Sequence, residues 1–352
     1  MEFRYVSLLR GTQPELVGCF LITKDAKRRK KEGKPMRVRI AILIALLLGA
    51  ASCAPVGGPE IAIGVRTAND HSPFYIADKL GYYREEGLEV GVRLVPSNTE
   101  IIEAVQRGDF QMGATPVNTA IAAIAQGTEI EIVAMTGRGS DGLLVRADAG
   151  IEAIEDLRGK TIATIRASIL DVLLRLALEE AGMDPERDVT LVYFSKLGDM
   201  ISALKTGQVD ATSNTEPFMT DAERQGWGKI LLYYTAYWPD HPCCVVFARK
   251  DFAQRHPEAL AKILKAHVRA VEFANRNPAR TAEIIVEYLG AFDPALVEAS
   301  LAPEKMRIDY QFTPAEIVRM AELMHRYGLV DRPLSAGELV NTSFLEQVLT
   351  AR

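Results

Sequence analysis

Residues that carry chemistry are scarce in this chain. Four cysteines and five histidines are spread over 352 residues. There is no CxxC pair and no second histidine at ligand spacing, so the spacing offers no zinc site, and neither metal nor cofactor is expected. GxSxG, the P-loop and HExxH are all missing, which removes the nucleophile elbow, the phosphate cradle and the metalloprotease helix; no catalytic residue is assigned. The apolar run Ile40–Ala51 is about half of the roughly 20 residues a membrane-crossing helix needs. Positive charge is also in deficit, with 41 Lys/Arg against 46 Asp/Glu. The first 53 residues hold 11 of those basic residues and 4 of the acidic ones, so the remainder has 30 against 42, a net of −12. An acidic body argues against a nucleic-acid partner.

What is present begins with a leader. Lys27–Lys34 (KRRKKEGK) is basic, Ile40–Ala51 (IAILIALLLGAA) is apolar, and small residues precede Cys53. That order spells a secretory signal. Met36–Cys53 is a complete signal alone, so residues 1–35 read as an upstream extension; the alternative is a long basic n-region. Ala51-Ser52-Cys53 resembles the end of a bacterial lipoprotein signal, which implies a lipid on Cys53 and a membrane anchor. Ala50 stands where leucine is usual, and ordinary cleavage near Cys53 is the alternative.

The body says one thing twice. Ile101–Gly127 and Met200–Gly226 align without a gap at an offset of 99, pairing Gly108 with Gly207 and Gly127 with Gly226. The same offset lays Val90–Val95 over Val189–Phe194, and an offset of 101 lays Ile61–Arg66 over Ile162–Ala167. Each copy reads strand, helix, strand, helix, strand. Such a unit forms a mostly parallel sheet covered by helices. A repeat near 100 residues means two lobes, as does a body beyond the usual size of one core. Ligands of these sheets bind beyond the carboxyl ends of the strands. Two facing lobes therefore predict a cleft.

The expected organisation is lobe 1 over 60–147, lobe 2 over 148–240, and a return to lobe 1 with C-terminal helices over 241–352. Phe74–Glu86 reads as one helix, and Gly137–Asp141 (GRGSD) as part of the passage between lobes. Cys243 and Cys244 are adjacent on a strand and read as small buried hydrophobes or as a strained vicinal disulfide.

These residues resemble the periplasmic substrate-binding proteins of ABC importers, nitrate/sulfonate/taurine branch. The resemblance rests on Gly81-Tyr82-Tyr83 with Glu86–Val90, on Leu157–Ala163, on Ala203–Ala211 and on Glu216-Pro217-Phe218, and it covers about Glu60 to Leu349. It implies an α/β, two-lobed periplasmic-binding-protein fold (type II), a small-molecule ligand, permease partners across the membrane and a monomer. The ligand class stays open among sulfonates, aromatic acids and pyrimidine-like molecules. A pyrimidine-precursor synthase on the same fold and a ligand-sensing receptor domain are the rivals. The signal segment argues against the first, and the second would need an output domain or a further membrane span.

The candidate ligand residues lie in the strand-end loops: Asn69, His71 and Ser72 after the first strand, Thr115 and Asn118 after the third, and Arg138 at the crossover. Arg166 and Ser168 open a second-lobe helix, Asn214 and Glu216 occupy the duplicated loop, and Trp238 precedes the returning strand. Ser168 with Asp171 reads as a capping box; added to it, a helix start beside Arg166 suits an oxyanion. Glu216 suggests an N–H or ammonium on the same ligand, and Trp238 a platform for a ring.

Overall fold

A computed structural model describes residues 61–290 and 292–351. The leader, including Met36 and Cys53, lies outside the described residues. Eleven strands are formed among those described: β1 (Ile61–Val65), β2 (Val90–Leu94), β3 (Met112–Pro116), β4 (Ile130–Gly139), β5 (Asp141–Arg146), β6 (Thr161–Thr164), β7 (Thr190–Tyr193), β8 (Ala211–Thr215), β9 (Gly228–Tyr233), β10 (Pro242–Arg249) and β11 (Met306–Arg307).

The internal repeat is a repeat of sheet topology. β1 lies parallel to β2 and β3, and β6 lies parallel to β7 and β8. The first sheet runs β11-β4-β10-β3-β1-β2 and the second β7-β6-β8-β5-β9. In each sheet the strand beside the parallel triple has arrived from the other lobe: β10 is antiparallel to β3 and β4, and β5 to β8 and β9. The chain therefore passes between the sheets twice. The first passage falls at Ser140, between β4 and β5, ahead of the expected 147/148 boundary. The apolar residues Gly142–Val145 explain the shift, because Leu143, Leu144 and Val145 are buried in the second sheet. The second passage follows β9 and enters β10 at Pro242.

Local rules set the helices. The segment expected as a single helix over Phe74–Glu86 is two, Ser72–Lys79 and Tyr82–Glu85. Gly81 separates them at φ 77°, a left-handed conformation that glycine adopts without a Cβ clash. The duplicated helices Asn98–Arg107 and Leu197–Lys205 bury Ile101, Ile102 and Val105 and Met200, Ala203 and Leu204 respectively, as their apolar spacing requires. Contrary to expectation, the C-terminal helices do not all pack on the first lobe alone. Pro314–Arg326 also reaches the second: Arg326 pairs with Glu179 at 3.2 Å, and the Tyr327 hydroxyl donates to the same carboxylate at 2.9 Å. No helix among the described residues is long and apolar enough to cross a membrane.

Candidate functional site

The carboxyl ends of β1, β3, β6 and β8 and both passages between the sheets meet at one place. After β1 the loop 69–72 is wholly buried, Asn69, Asp70, His71 and Ser72 being at most 6% exposed. The His71 ring is held by its own strand: Nδ1 lies 2.9 Å from the Arg66 amide and 3.1 Å from the Arg66 carbonyl oxygen. Either ring tautomer is thereby satisfied at Nδ1. Nε2, also buried, has no protein partner among the described residues. Burial depresses the His71 pKa below its ordinary value, so the ring is neutral near pH 7. Asn69 donates through Nδ2 to Ser300 Oγ at 2.8 Å, while its Oδ1 is unpartnered. Ser72 Oγ is unpartnered as well.

The second lobe comes to meet this loop. Asn118, in the first turn after β3, donates to the carbonyl of Ala167 beyond β6 at 2.8 Å. Its Oδ1 is buried without a partner, as is Thr164 Oγ1 at the end of β6. Thr115 is buried and donates to the Pro116 carbonyl at 3.2 Å. Asn214 is buried too, its Oδ1 accepting from the Thr215 amide at 2.9 Å. The passages supply Ser140, Asp141 and Cys243. Ser140 Oγ lies 3.1 Å from Thr215 Oγ1 and 3.6 Å from Cys243 Sγ, and Cys243 Sγ donates to Asp70 Oδ2 at 3.3 Å. The Asp141 carboxylate sits 3.5 Å from His241 Nε2.

The buried charge here is acidic. Burial pushes the carboxyl pKa of Asp141 up, and does the same to Glu216. Glu216 accepts from the Tyr233 hydroxyl at 2.5 Å and from the Thr220 amide at 3.2 Å, so it is already paired within its own lobe.

The cations expected to answer an anion are engaged elsewhere. Arg138 is buried and saturated. Nε donates to Asp309 at 3.0 Å; Nη1 donates to Glu316 at 3.0 Å and to the Asp240 carbonyl at 2.7 Å; Nη2 donates to Glu316 at 3.2 Å and to the Gln311 carbonyl at 2.7 Å. Such a guanidinium ties strands and passage together and has nothing left for a solute. Arg166 is exposed, its guanidinium 3.8 Å above the Tyr193 ring. Ser168 is the helix N-cap, accepting from the Asp171 amide. Asp171 reaches back to the Ala167 amide at 2.9 Å and pairs with Arg175 at 3.0 Å. The helix start thus carries its own carboxylate, which works against an oxyanion there. Trp238 is no open platform: it is 5% exposed, packed in the core beneath Arg319, whose guanidinium lies 4.1 Å from the ring.

Sequence reasoning passed over Asp70, Asp141 and Thr164. Each stands in or beside a strand-end loop that was already in view, and strand-end position was the signal available. The cysteine pair is buried and reduced, its sulfurs 3.9 Å apart. Burial pushes the Cys244 thiol up to about 12. Hydrogen bonding to Cys244 and burial push Cys243 higher than an ordinary thiol. Neither is an activated nucleophile.

Over residues 55–289 the chain matches the family described as NMT1-like. A protein of Bacillus subtilis (strain 168) named for binding aliphatic sulfonates is 24% identical over 336 residues, covering 89% of this chain and 97% of its own length. Among solved structures, the periplasmic nitrate-binding protein NrtA from Synechocystis PCC 6803 superposes with a TM-score of 0.73 at 16% identity, covering 84% of this chain and 90% of that one. The periplasmic aliphatic sulphonate-binding protein SsuA from Escherichia coli gives 0.71 at 19% identity, covering 81% and 93%. What is shared with these structures is the two-lobed fold.

Proposed function

The chain belongs to the NMT1-like family, and on that premise we propose that it is the extracytoplasmic solute-binding component of an ABC importer, a binding protein and not an enzyme. One small organic molecule is taken between the lobes and handed to permease subunits. The observation that carries this reading is the set of buried polar atoms at the facing strand ends that have no partner among the described residues: Asn69 Oδ1, His71 Nε2, Ser72 Oγ, Asn118 Oδ1 and Thr164 Oγ1. A buried polar atom without a partner costs about 1–3 kcal/mol, and a cluster of them drawn from both lobes fits a solute that supplies the missing bonds.

The acidic lining favours a neutral or cationic solute bearing N–H donors, such as a pyrimidine-like molecule or an amine. A sulfonate is the second reading, supported by what the B. subtilis and E. coli relatives are named for. Small molecules released from denatured, purified protein are to be identified by mass spectrometry and titrated back calorimetrically. One compound should rebind at one per chain. Asn118→Ala, which removes the bond to Ala167 across the cleft, should weaken it about tenfold, for a hydrogen bond worth about 1–1.5 kcal/mol. Release of nothing, with no heat from sulfonates, aromatic acids, amines or pyrimidines, overturns the reading.

The reading extends to the leader. Met36–Cys53 directs export, Cys53 carries the lipid anchor, and the mature protein acts as a monomer on the outer face of the membrane. Cys53→Ser protein should then partition into the aqueous phase and lack an acyl mass. A chain begun at Met36 should be processed as fully as the longer one; accumulation of its precursor alone would refute the internal start.

A further inference from the structure

Asp70, His71 and Cys244 each offer one ligand atom, and the three atoms lie within 4.8 Å of one another, all on buried residues. They come from two elements that sequence spacing does not connect: the loop after β1 and the first residues of β10. From this geometry we infer that Asp70, His71 and Cys244 bind one borderline-soft divalent ion of the zinc class at the floor of the cleft.

Four observations carry the assignment. Thiolate, imidazole and carboxylate are the donor types that zinc takes, and three protein donors leave a fourth position open. His71 Nε2 is buried and without a protein partner among the described residues. Its other ring nitrogen stands 2.9 Å from the Arg66 amide and 3.1 Å from the Arg66 carbonyl; in the tautomer whose Nδ1–H donates to that carbonyl, the Nε2 lone pair is left for the ion, the arrangement that orients metal-binding histidines. Finally, Asp70 is a buried carboxylate that accepts from the Cys243 thiol at 3.3 Å, and no Lys or Arg among the described residues pairs with it. A cation at this point would offset the cost of burying that charge. The loop is held for the purpose from behind: Thr136 Oγ1 donates to the Asp70 carbonyl at 2.7 Å, and Gly137 leaves room for the Asp70 side chain.

The inference shares His71 with the proposed solute site, and its test uses metal alone with no solute present, so either reading can fail without the other. Purified protein, stripped with chelator, is titrated with Co²⁺ and with Zn²⁺. One equivalent of Co²⁺ should produce a thiolate-to-cobalt charge-transfer band in the near ultraviolet, and Zn²⁺ should displace it. Cys244→Ser should abolish the band, and His71→Ala should weaken Zn²⁺ binding at least tenfold, both with an unchanged far-ultraviolet circular dichroism spectrum. Should either variant misfold, X-ray absorption of the zinc-loaded wild type decides: one sulfur near 2.3 Å and one imidazole nitrogen near 2.0 Å are expected, about the usual zinc distances. A shell of oxygen and nitrogen only, a band that survives Cys244→Ser, or no band at all overturns the assignment.

Discussion

At the scale of single residues, saturation of hydrogen bonds separates scaffold from candidate site. Arg138 looked like a cation for the ligand because it stands at a glycine-rich crossover, but its partners come from Asp240, Asp309, Gln311 and Glu316, up to 178 positions away in the chain. No local pattern could show that. Arg138→Met strands two partly buried carboxylates, and removing one partner of a buried pair costs about 3–5 kcal/mol. Because Glu316 and Asp309 keep some solvent access, a loss of roughly 3 kcal/mol is expected in urea unfolding, with solute affinity changed less than threefold. Lost affinity at unchanged stability would return Arg138 to the site. Trp238 departs from its expectation for the same reason, since exposure depends on which distant helix covers a loop, while Arg166 stays exposed over the Tyr193 ring. His71, Asn69, Ser72 and Asn118, whose buried side chains each keep an atom without a partner among the described residues, stand where strand-end position alone places them.

His267 gives the residue scale a pH test. Its Nε2 donates to the Met135 carbonyl at 2.7 Å, and burial depresses its pKa to about 4 from 6.5. The unfolded chain takes up this proton as pH falls through 6.5, while the folded protein refuses it until about 4. Stability from this group is therefore complete above 6.5 and is lost on acidification between those values. A shift from 6.5 to about 4 corresponds to roughly 3 kcal/mol. His267→Gln should lose less stability than wild type between pH 7 and pH 4.5, by roughly 2–3 kcal/mol in paired urea titrations. Parallel losses in the two proteins would contradict the assignment. Burial lowers His71 in the same direction.

At the scale of elements, the repeat was readable because glycine stops and apolar spacing are local. The gapless offset of 99 became two sheets with the same parallel triple. The exchanged strands were not readable: β5 is as apolar as the strands on either side of it, and only its pairing with β8 and β9 assigns it to the second lobe. Gly137 on β4, expected only as part of the passage between lobes, makes a close contact. A Cβ built there would lie 2.3 Å from the Asp70 Cβ, closer than atoms pack. Gly137→Ala should push the 69–72 loop off the strand, costing about 1–3 kcal/mol of stability and weakening metal and solute binding together. Binding at wild-type strength in Gly137→Ala would show that the loop does not form the site.

At the scale of the molecule, function follows from contacts that need both lobes. Asn118 to Ala167, Lys305 to Thr220 at 2.7 Å, and Arg326 with Tyr327 to Glu179 all join an element of the first lobe or the C-terminal helices to the second. A solute that meets polar atoms from both sides is bound better when these contacts form, and that difference in affinity shifts the population toward the closed form. The decisive measurement is the distance between the lobes. Spin labels at Glu103→Cys and Gln208→Cys, two exposed positions on opposite lobes, are placed in Cys53→Ser protein stripped of small molecules. Pulsed dipolar spectroscopy should give a longer or broader distance distribution without solute, and a single shorter distance once the compound released from the purified protein is returned at saturation. A distribution unchanged by that compound would contradict capture by closure.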